Sequence, residues 1–287
     1  LCLPTEISTF SQGNFENLEQ KSANKFTSAA NQKEAFENLV SKGIAAIQND
    51  AFDKVVLSRK IVLNEQISVV ATFQNLIATY PTAFRYLFFH PKIGLWMGAT
   101  PEQLVKINQN QFETVALAGT QLFSEYIIWN TKEIEEQQFV TDFIVSEMAS
   151  KVKNLVVSET KTIKAGNLAH LKSIITGKLT GDFSALDLIM TLHPTPAVCG
   201  LPKESALDFI QKNEAFDRTY YSGFLGEYNS NNQTDLFVNL RCLEVVNDAV
   251  NIYVGCGITN DSNPEMEFLE TENKSMTMRN IIVFSGQ

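Results

Sequence analysis

Cysteine is scarce in this chain. Its four thiols, Cys2, Cys199, Cys242 and Cys256, form no Cys-x-x-Cys pair, which argues against a zinc site. They read as reduced, mostly buried thiols of a cytoplasmic protein. Histidine is scarcer still, with only His90, His170 and His193. No stretch approaches the ~20 apolar residues of a membrane span. The opening LCLPTEISTF has neither the basic start nor the apolar run of a signal peptide. Basic residues are outnumbered, 23 Lys and Arg against 32 Asp and Glu, for a net charge of −9. That balance disfavours a nucleic-acid partner and gives no polybasic handle on a membrane. Common nucleotide and nucleophile motifs are missing too. Gly255-Cys256-Gly257 lacks the spacing of a dinucleotide loop, and Gly177-Lys178 has no glycine five residues earlier for a P-loop. No Ser or Cys sits on a nucleophile elbow.

What is present is an ordinary globular composition, 44% apolar and 19% charged over 287 residues. Residues 1–32 are polar and weakly periodic and read as a loose lead-in; 33–287 read as one domain. Phe36, Leu39, Val40, Ile44 and Ile47 follow helical spacing over 33–50. A β-branched strand at 53–63 and a helix at 68–80 come next. Short turns then separate strands at 83–90, 93–98, 102–108 and 111–117, which implies antiparallel neighbours. A long amphipathic helix is expected over 131–153, with Phe139, Phe143, Ile144 and Met148 facing the core. A strand at 169–181, helices at 184–194 and 203–213, strands near 221–228, 234–245 and 249–258, and a helix at about 264–283 complete the chain. Runs of strands with segregated helices argue for an α+β fold.

The segment NPEMEFLETENKS (263–275) carries Glu265, Glu267, Glu270 and Glu272 with Lys274 close behind. Proline suits a first helical turn, and acidic residues there complement the macrodipole, so a solvated, well-capped helix is one reading. Glu267 and Glu270 are also three apart, hence on one face. Two carboxylates on one face hold a divalent ion if a third arrives from elsewhere. Glu136, in KEIEEQQFVTDFI beside Glu133 and Glu135, leans toward the expected core side and needs a partner there.

Lys54 lies inside a strand. If it faces inward, desolvation favours the neutral amine, which acts as a general base; an outward lysine is the alternative. Glu102 follows Pro101 at a strand start, placed to project an acid into a cleft. HPTPAVCGLPK (193–203) is stiff, which suits either a loop that shapes a site or a rigid connector.

Ten segments in order resemble the chorismate-utilising enzymes, within them the isochorismate synthases. They are KVVLSR (54–59), GATPEQL (98–104), ALAGT (116–120), KEIEEQQFVTDFI (132–144), HLKSIITGKL (170–179), HPTPAVCGLPK (193–203), DRTYYSGFLGEY (217–228), VNLRCLEV (238–245), YVGCGI (253–258) and PEMEFLETENK (264–274). The resemblance implies two α/β subdomains whose antiparallel sheets pack as a sandwich, with helices outside and the active site in the cleft. It implies a magnesium-dependent reaction on chorismate, with a product that feeds menaquinone or a catechol siderophore. The chain is expected to be a monomer and, from its thiols, cytoplasmic.

The same resemblance implies roles. Lys54 activates water for attack at C2, and Glu102 protonates the departing C4 hydroxyl. Glu136, Glu267 and Glu270 surround Mg²⁺, with Lys274 completing a charge-balanced floor. Arg241 grips the enolpyruvyl carboxylate. Gly119, Thr120, Gly255 and Gly257 make backbone-rich carboxylate contacts, and His170 stands near the ring. Ala197 and Val198 wall the approach to C2. Ala118 occupies the place of the nucleophilic lysine of aminodeoxychorismate synthases, so a covalent amine route is excluded. Gln137 stands where the family has histidine, and ALAGTQLFSEY lacks the usual Arg-Pro-Arg. Salicylate synthase, which eliminates pyruvate after the same first step, and a non-catalytic metabolite-binding relative are the alternatives.

Overall fold

Alternation along β-branched and aromatic runs builds most of this molecule. The computed structural model describes residues 29–165 and 168–285. In chain order the elements are α1 (Ala29–Gln48), β1 (Lys54–Leu63), α2 (Val69–Thr79), β2 (Phe84–His90), β3 (Gly94–Thr100), β4 (Gln103–Asn108) and β5 (Gln111–Leu122). There follow α3 (Thr131–Met148), β6 (Val152–Val157), β7 (Lys161–Ala165), β8 (Leu168–Leu179), α4 (Ala185–Leu192), β9 (Gly200–Leu201) and α5 (Lys203–Asn213). The chain closes with β10 (Phe224–Ser230), β11 (Gln233–Val238), β12 (Cys242–Val246), β13 (Ala249–Ile258) and α6 (Pro264–Arg279).

The strands form two antiparallel sheets. One has six strands in the order β2-β3-β12-β13-β1-β9; the other has seven, β10-β11-β4-β5-β8-β6, with β7 paired to β8. Helices cover the outer face of each, as an α+β architecture requires. In the first sheet Val55, Leu57, Cys256 and Ile258 pack with Phe36 and Val40 of α1 and with Ala206 and Ile210 of α5. In the second, Phe112, Ala116 and Ile175 pack with Val140, Ile144 and Met148 of α3 and with Leu188 and Ile189 of α4. The inner faces meet through aromatic side chains: Trp96, Tyr221 and Tyr253 form one cluster, and Phe84 of β2 stacks on Phe237 of β11 at 4.4 Å.

Four connections tie the sheets together: β8 to β9 through α4, β9 to β10 through α5, and two short ones. The chain passes from β3 to β4 through Pro101 and Glu102, and returns from β11 to β12 through residues 239–241. These two short crossings run side by side. Val238 N–H donates to the Glu102 carbonyl at 2.8 Å, and Ala99 N–H donates to the Arg241 carbonyl at 3.0 Å. Buried Asn239 pins the seam, accepting from the Tyr86 hydroxyl at 2.6 Å and donating to the Tyr220 carbonyl at 2.8 Å.

This seam corrects one expectation. The run at 234–245 is not one strand but β11 and β12 in different sheets, broken where Arg241 adopts φ 48°. Burial on both sides of the break conceals it from a hydrophobic pattern. The helix expected over 131–153 ends at Met148, and strands β6 and β7 take up the segment after it. β6 sits at a sheet edge with Val156 59% exposed, so it lacks the alternation that marks a half-buried strand. Phe139 is 50% exposed and does not face the core; Val140 takes that place. Helix α6 stops at Arg279, short of 283, and α1 starts at Ala29, ahead of the expected 33. The rest of the lead-in, residues 1–28, lies outside the described residues.

Candidate active site

The two sheets enclose a cavity of about 200 Å³. Strand β1 shows how sequence aims side chains at it. Val55 and Leu57 enter the helix-covered core, so Lys54 and Val56 point the opposite way, into the cavity. Lys54 is buried at 8% exposure. Opposite it, β13 offers only glycine: Val56 pairs with Gly257 and Ser58 with Gly255. A Cβ on Gly257 would stand 3.0 Å from Lys54 Cε, so this close approach of amine and strand needs a bare backbone there.

Every candidate residue expected from the sequence whose side chain is described lines this one space. Lys54, Glu102, Ala118, Gly119, Glu136 and His170 are there, as are Ala197, Val198, Arg241, Gly255, Gly257, Glu267, Glu270 and Lys274. The backbone of Thr120 pairs with His170, but its side chain lies outside the described residues. The structure adds Val56, Glu133, Tyr221, Leu240 and Tyr253. Tyr221 belongs to the DRTYYSG segment, whose two adjacent tyrosines were its only signal in the sequence.

Each charged group has a distinct setting. Glu102 rides the first sheet crossing, where desolvation raises its carboxyl to about 7, against the pull of Lys274, Arg241 and Lys54. Arg241 rides the second short crossing. Burial lowers its guanidinium from the ordinary value, and Nη1 donates to Thr277 Oγ1 at 3.0 Å and weakly to the Lys274 carbonyl at 3.4 Å. His170 Nδ1 lies 3.1 Å from the Gly119 carbonyl, which only accepts, so Nδ1 carries the proton. Desolvation holds the His170 ring below its usual value. Gly119 has φ +66°, and a Cβ there would stand 3.0 Å from Glu133 Cβ; glycine lets β5 turn under α3.

The carboxylates arrive on two helices with well-formed starts. Asn130 and Glu133 form a capping box at α3, and Asn263 accepts from Met266 N–H at 3.1 Å ahead of Pro264 in α6. Glu133 and Glu136 reach the cavity from α3, Glu267 and Glu270 from α6. Lys274 Nζ stands 2.6 Å from Glu270 Oε1 and donates to the Gly255 carbonyl at 3.0 Å. Among the described residues, no three His, Cys, Asp or Glu side chains converge closely enough to hold a metal ion. The donor chemistry nevertheless suits a hard divalent cation, since all four groups are oxygen donors and magnesium takes few protein ligands beside water and substrate. The charge count points the same way. With Glu102 left aside as a raised carboxyl, four carboxylates line the cavity against three cations, so an anion entering it meets net repulsion unless positive charge comes with it.

Residues 3–283 match a family model described as chorismate binding enzyme. Isochorismate synthase EntC of Escherichia coli is 28% identical over 285 residues, which span 91% of this chain and 73% of that protein. Isochorismate synthase DhbC of Bacillus subtilis is 30% identical over 266 residues, 85% of this chain and 67% of the relative. The solved structure of the menaquinone-specific isochorismate synthase MenF of Escherichia coli superposes with a TM-score of 0.78 at 26% identity, covering 87% of this chain and 60% of that one.

Proposed function

This chain belongs to the chorismate-binding enzymes, and from that premise we propose that it is an isochorismate synthase. The observation that carries the reading is that Lys54 and Glu102 line one cavity, one a strand-borne amine at 8% exposure, the other a carboxyl raised to about 7. Names of relatives agree: EntC and DhbC are both isochorismate synthases.

In the proposed reaction Lys54 takes a proton from water as its oxygen bonds to C2. The C1–C2 π pair moves to C1–C6, the C5–C6 pair moves to C4–C5, and the C4–O bond breaks. Glu102 gives its proton to the departing hydroxyl, which leaves as water. Proton exchange with solvent then resets both groups, and the path runs equally in reverse. Arg241 binds the enolpyruvyl carboxylate, where a guanidinium fork suits a planar anion. His170, neutral and oriented by Gly119, packs near the ring. Ala197 and Val198 keep the approach to C2 apolar, so that the water held by Lys54 is the nucleophile. Glu136 and Glu270 are the residues that would hold Mg²⁺ directly, with Glu267 acting through water, and the ion's charge would offset the ring carboxylate against the acidic lining.

The test is incubation with chorismate, with and without magnesium, followed by chromatography. Isochorismate that forms only with the metal is the expected product. Release of pyruvate would move the assignment to salicylate synthase, and no product at all would leave a metabolite-binding relative.

A further inference from the structure

Strand β1 loses its neighbour on one side after its first two residues. β9 pairs with it only at Lys54 and Val55, so the edge groups of Val56 and Ser58 meet no strand there. Buried backbone groups of that kind need other partners. Val56 N–H finds one in the Cys199 carbonyl at 2.7 Å. Side chains supply the rest. Arg218 Nη2 donates to the Val56 carbonyl at 2.7 Å, and Glu214 Oε1 accepts from Ser58 N–H at 2.7 Å and Ser58 Oγ at 2.9 Å. Glu214 and Arg218 also grip each other twice, Nη2 to Oε1 at 2.6 Å and Nε to Oε2 at 2.8 Å. Arg218 Nη1 then donates to the Val198 carbonyl at 2.8 Å.

This is not an ordinary surface ion pair of i,i+4 spacing, which contributes little. The Glu214 side chain is 2% exposed and that of Arg218 15%. Each carboxylate oxygen and each guanidinium nitrogen has a partner at hydrogen-bond distance. The pair holds two other segments in one plane, and both line the cavity: Val56, two residues from Lys54 on the same face, and Val198, the apolar wall. Without it, the strand and the 198–201 segment are joined by the Val56–Cys199 bond and by Asp53 N–H to the Leu201 carbonyl at 2.7 Å, neither of which reaches Val198 itself. The guanidinium ties the Val198 carbonyl directly to that of Val56.

We propose that Arg218, held by Glu214, is a positioning residue for the nucleophile. It sets the separation between the Lys54 strand and the Val198 wall, and so the width of the slot in which water stands before C2. The proposal rests on the reading of Lys54 as the base. Misplacing reacting groups by about 1 Å costs on the order of 100-fold in rate.

Arg218→Lys keeps the charge and loses the fork. It is expected to lower kcat by roughly 10- to 100-fold while the KM for chorismate stays within about twofold, since the carboxylate contacts lie elsewhere. The solvent deuterium isotope effect on kcat should rise as proton transfer to Lys54 becomes harder; a loss of folded fraction alone would leave it unchanged. Glu214→Leu combined with Arg218→Met removes both buried charges at similar volume, a change that buried pairs often tolerate. A folded double variant, shown by near-ultraviolet circular dichroism and melting, should have the same lowered kcat and raised isotope effect. Wild-type kcat and isotope effect in that double variant would overturn the proposal, leaving the pair as a stabilising device. Failure of the wild type to make isochorismate would overturn the functional reading and this role with it.

Discussion

Ala99 donates its amide hydrogen to the Arg241 carbonyl at 3.0 Å, and that bond lies where two chain segments leave one sheet for the other. Its counterpart, Val238 to Glu102, lies on the same seam. The groups proposed as acid and as carboxylate anchor are thereby fixed by backbone bonds that also join the two halves of the molecule.

Replacing Glu102 by Gln should keep the shape of the seam and remove the proton donor. Turnover is expected to fall by roughly 100- to 10,000-fold, with chorismate affinity by calorimetry within about threefold. Parallel losses in affinity and rate would argue that Glu102 binds rather than donates.

The raised carboxyl also has a pH signature. Only its protonated form serves as an acid, so kcat/KM should decline as pH rises through about 7. Stability follows the same direction. Between about 4.5 and about 7 the folded protein holds a proton that the unfolded chain has released, so stability drops as pH rises through that window and is level above it. The shift corresponds to about 3 kcal/mol at most, less for solvent screening. Melting of the wild type and of Glu102→Gln, compared between about pH 5 and about pH 8, should diverge as pH rises. A constant gap would place the carboxyl at its ordinary value.

Lys54→Ala should abolish turnover and leave metal-dependent binding of chorismate in place. Undiminished activity would remove Lys54 from the role of base.

Glu270→Ala should raise the magnesium concentration needed for half-maximal rate by about 10-fold or more, and Glu136→Ala should do the same. Lys274→Ala tests the competing partner: freeing Glu270 from its 2.6 Å ion pair should lower that concentration. An unchanged metal response in all three would tell against an ion at this place.

Arg241→Lys should raise KM for chorismate by roughly 10- to 100-fold, the cost of losing a charge-assisted bond of about 1.5–3 kcal/mol. An unchanged KM would move the carboxylate anchor elsewhere.

Much of the element order was legible in the sequence because β-branched runs mark strands. The run at 54–63 announced β1 but is buried on both faces, so the direction of Lys54 stayed open until the structure turned it and Val56 into the cavity. Charged helix starts were equally readable, since Asn263 and Pro264 mark the opening of α6. Pattern failed where burial is continuous or absent. The break at Arg241 lies between two buried strands, and β6 lies on an exposed edge. Glu136 reaches the cavity although the Phe139 side invoked to turn it inward is exposed; the buried stripe runs through Gln137, Val140 and Ile144 instead. Nothing in the sequence marked the Glu214–Arg218 clamp, because i,i+4 spacing along a chain says nothing of depth.

The side-by-side crossings divide the site mechanically. Lys54 travels with the six-stranded sheet, as do Glu267 and Glu270 on α6, and Glu136 with the helix on the seven-stranded one, whereas Glu102 and Arg241 sit on the two short crossings. Tilting one sheet against the other would part Glu136 from the amine and from the α6 carboxylates while disturbing the two groups at these crossings less, so a substrate gripped by Arg241 would stay registered to its proton donor through such a motion.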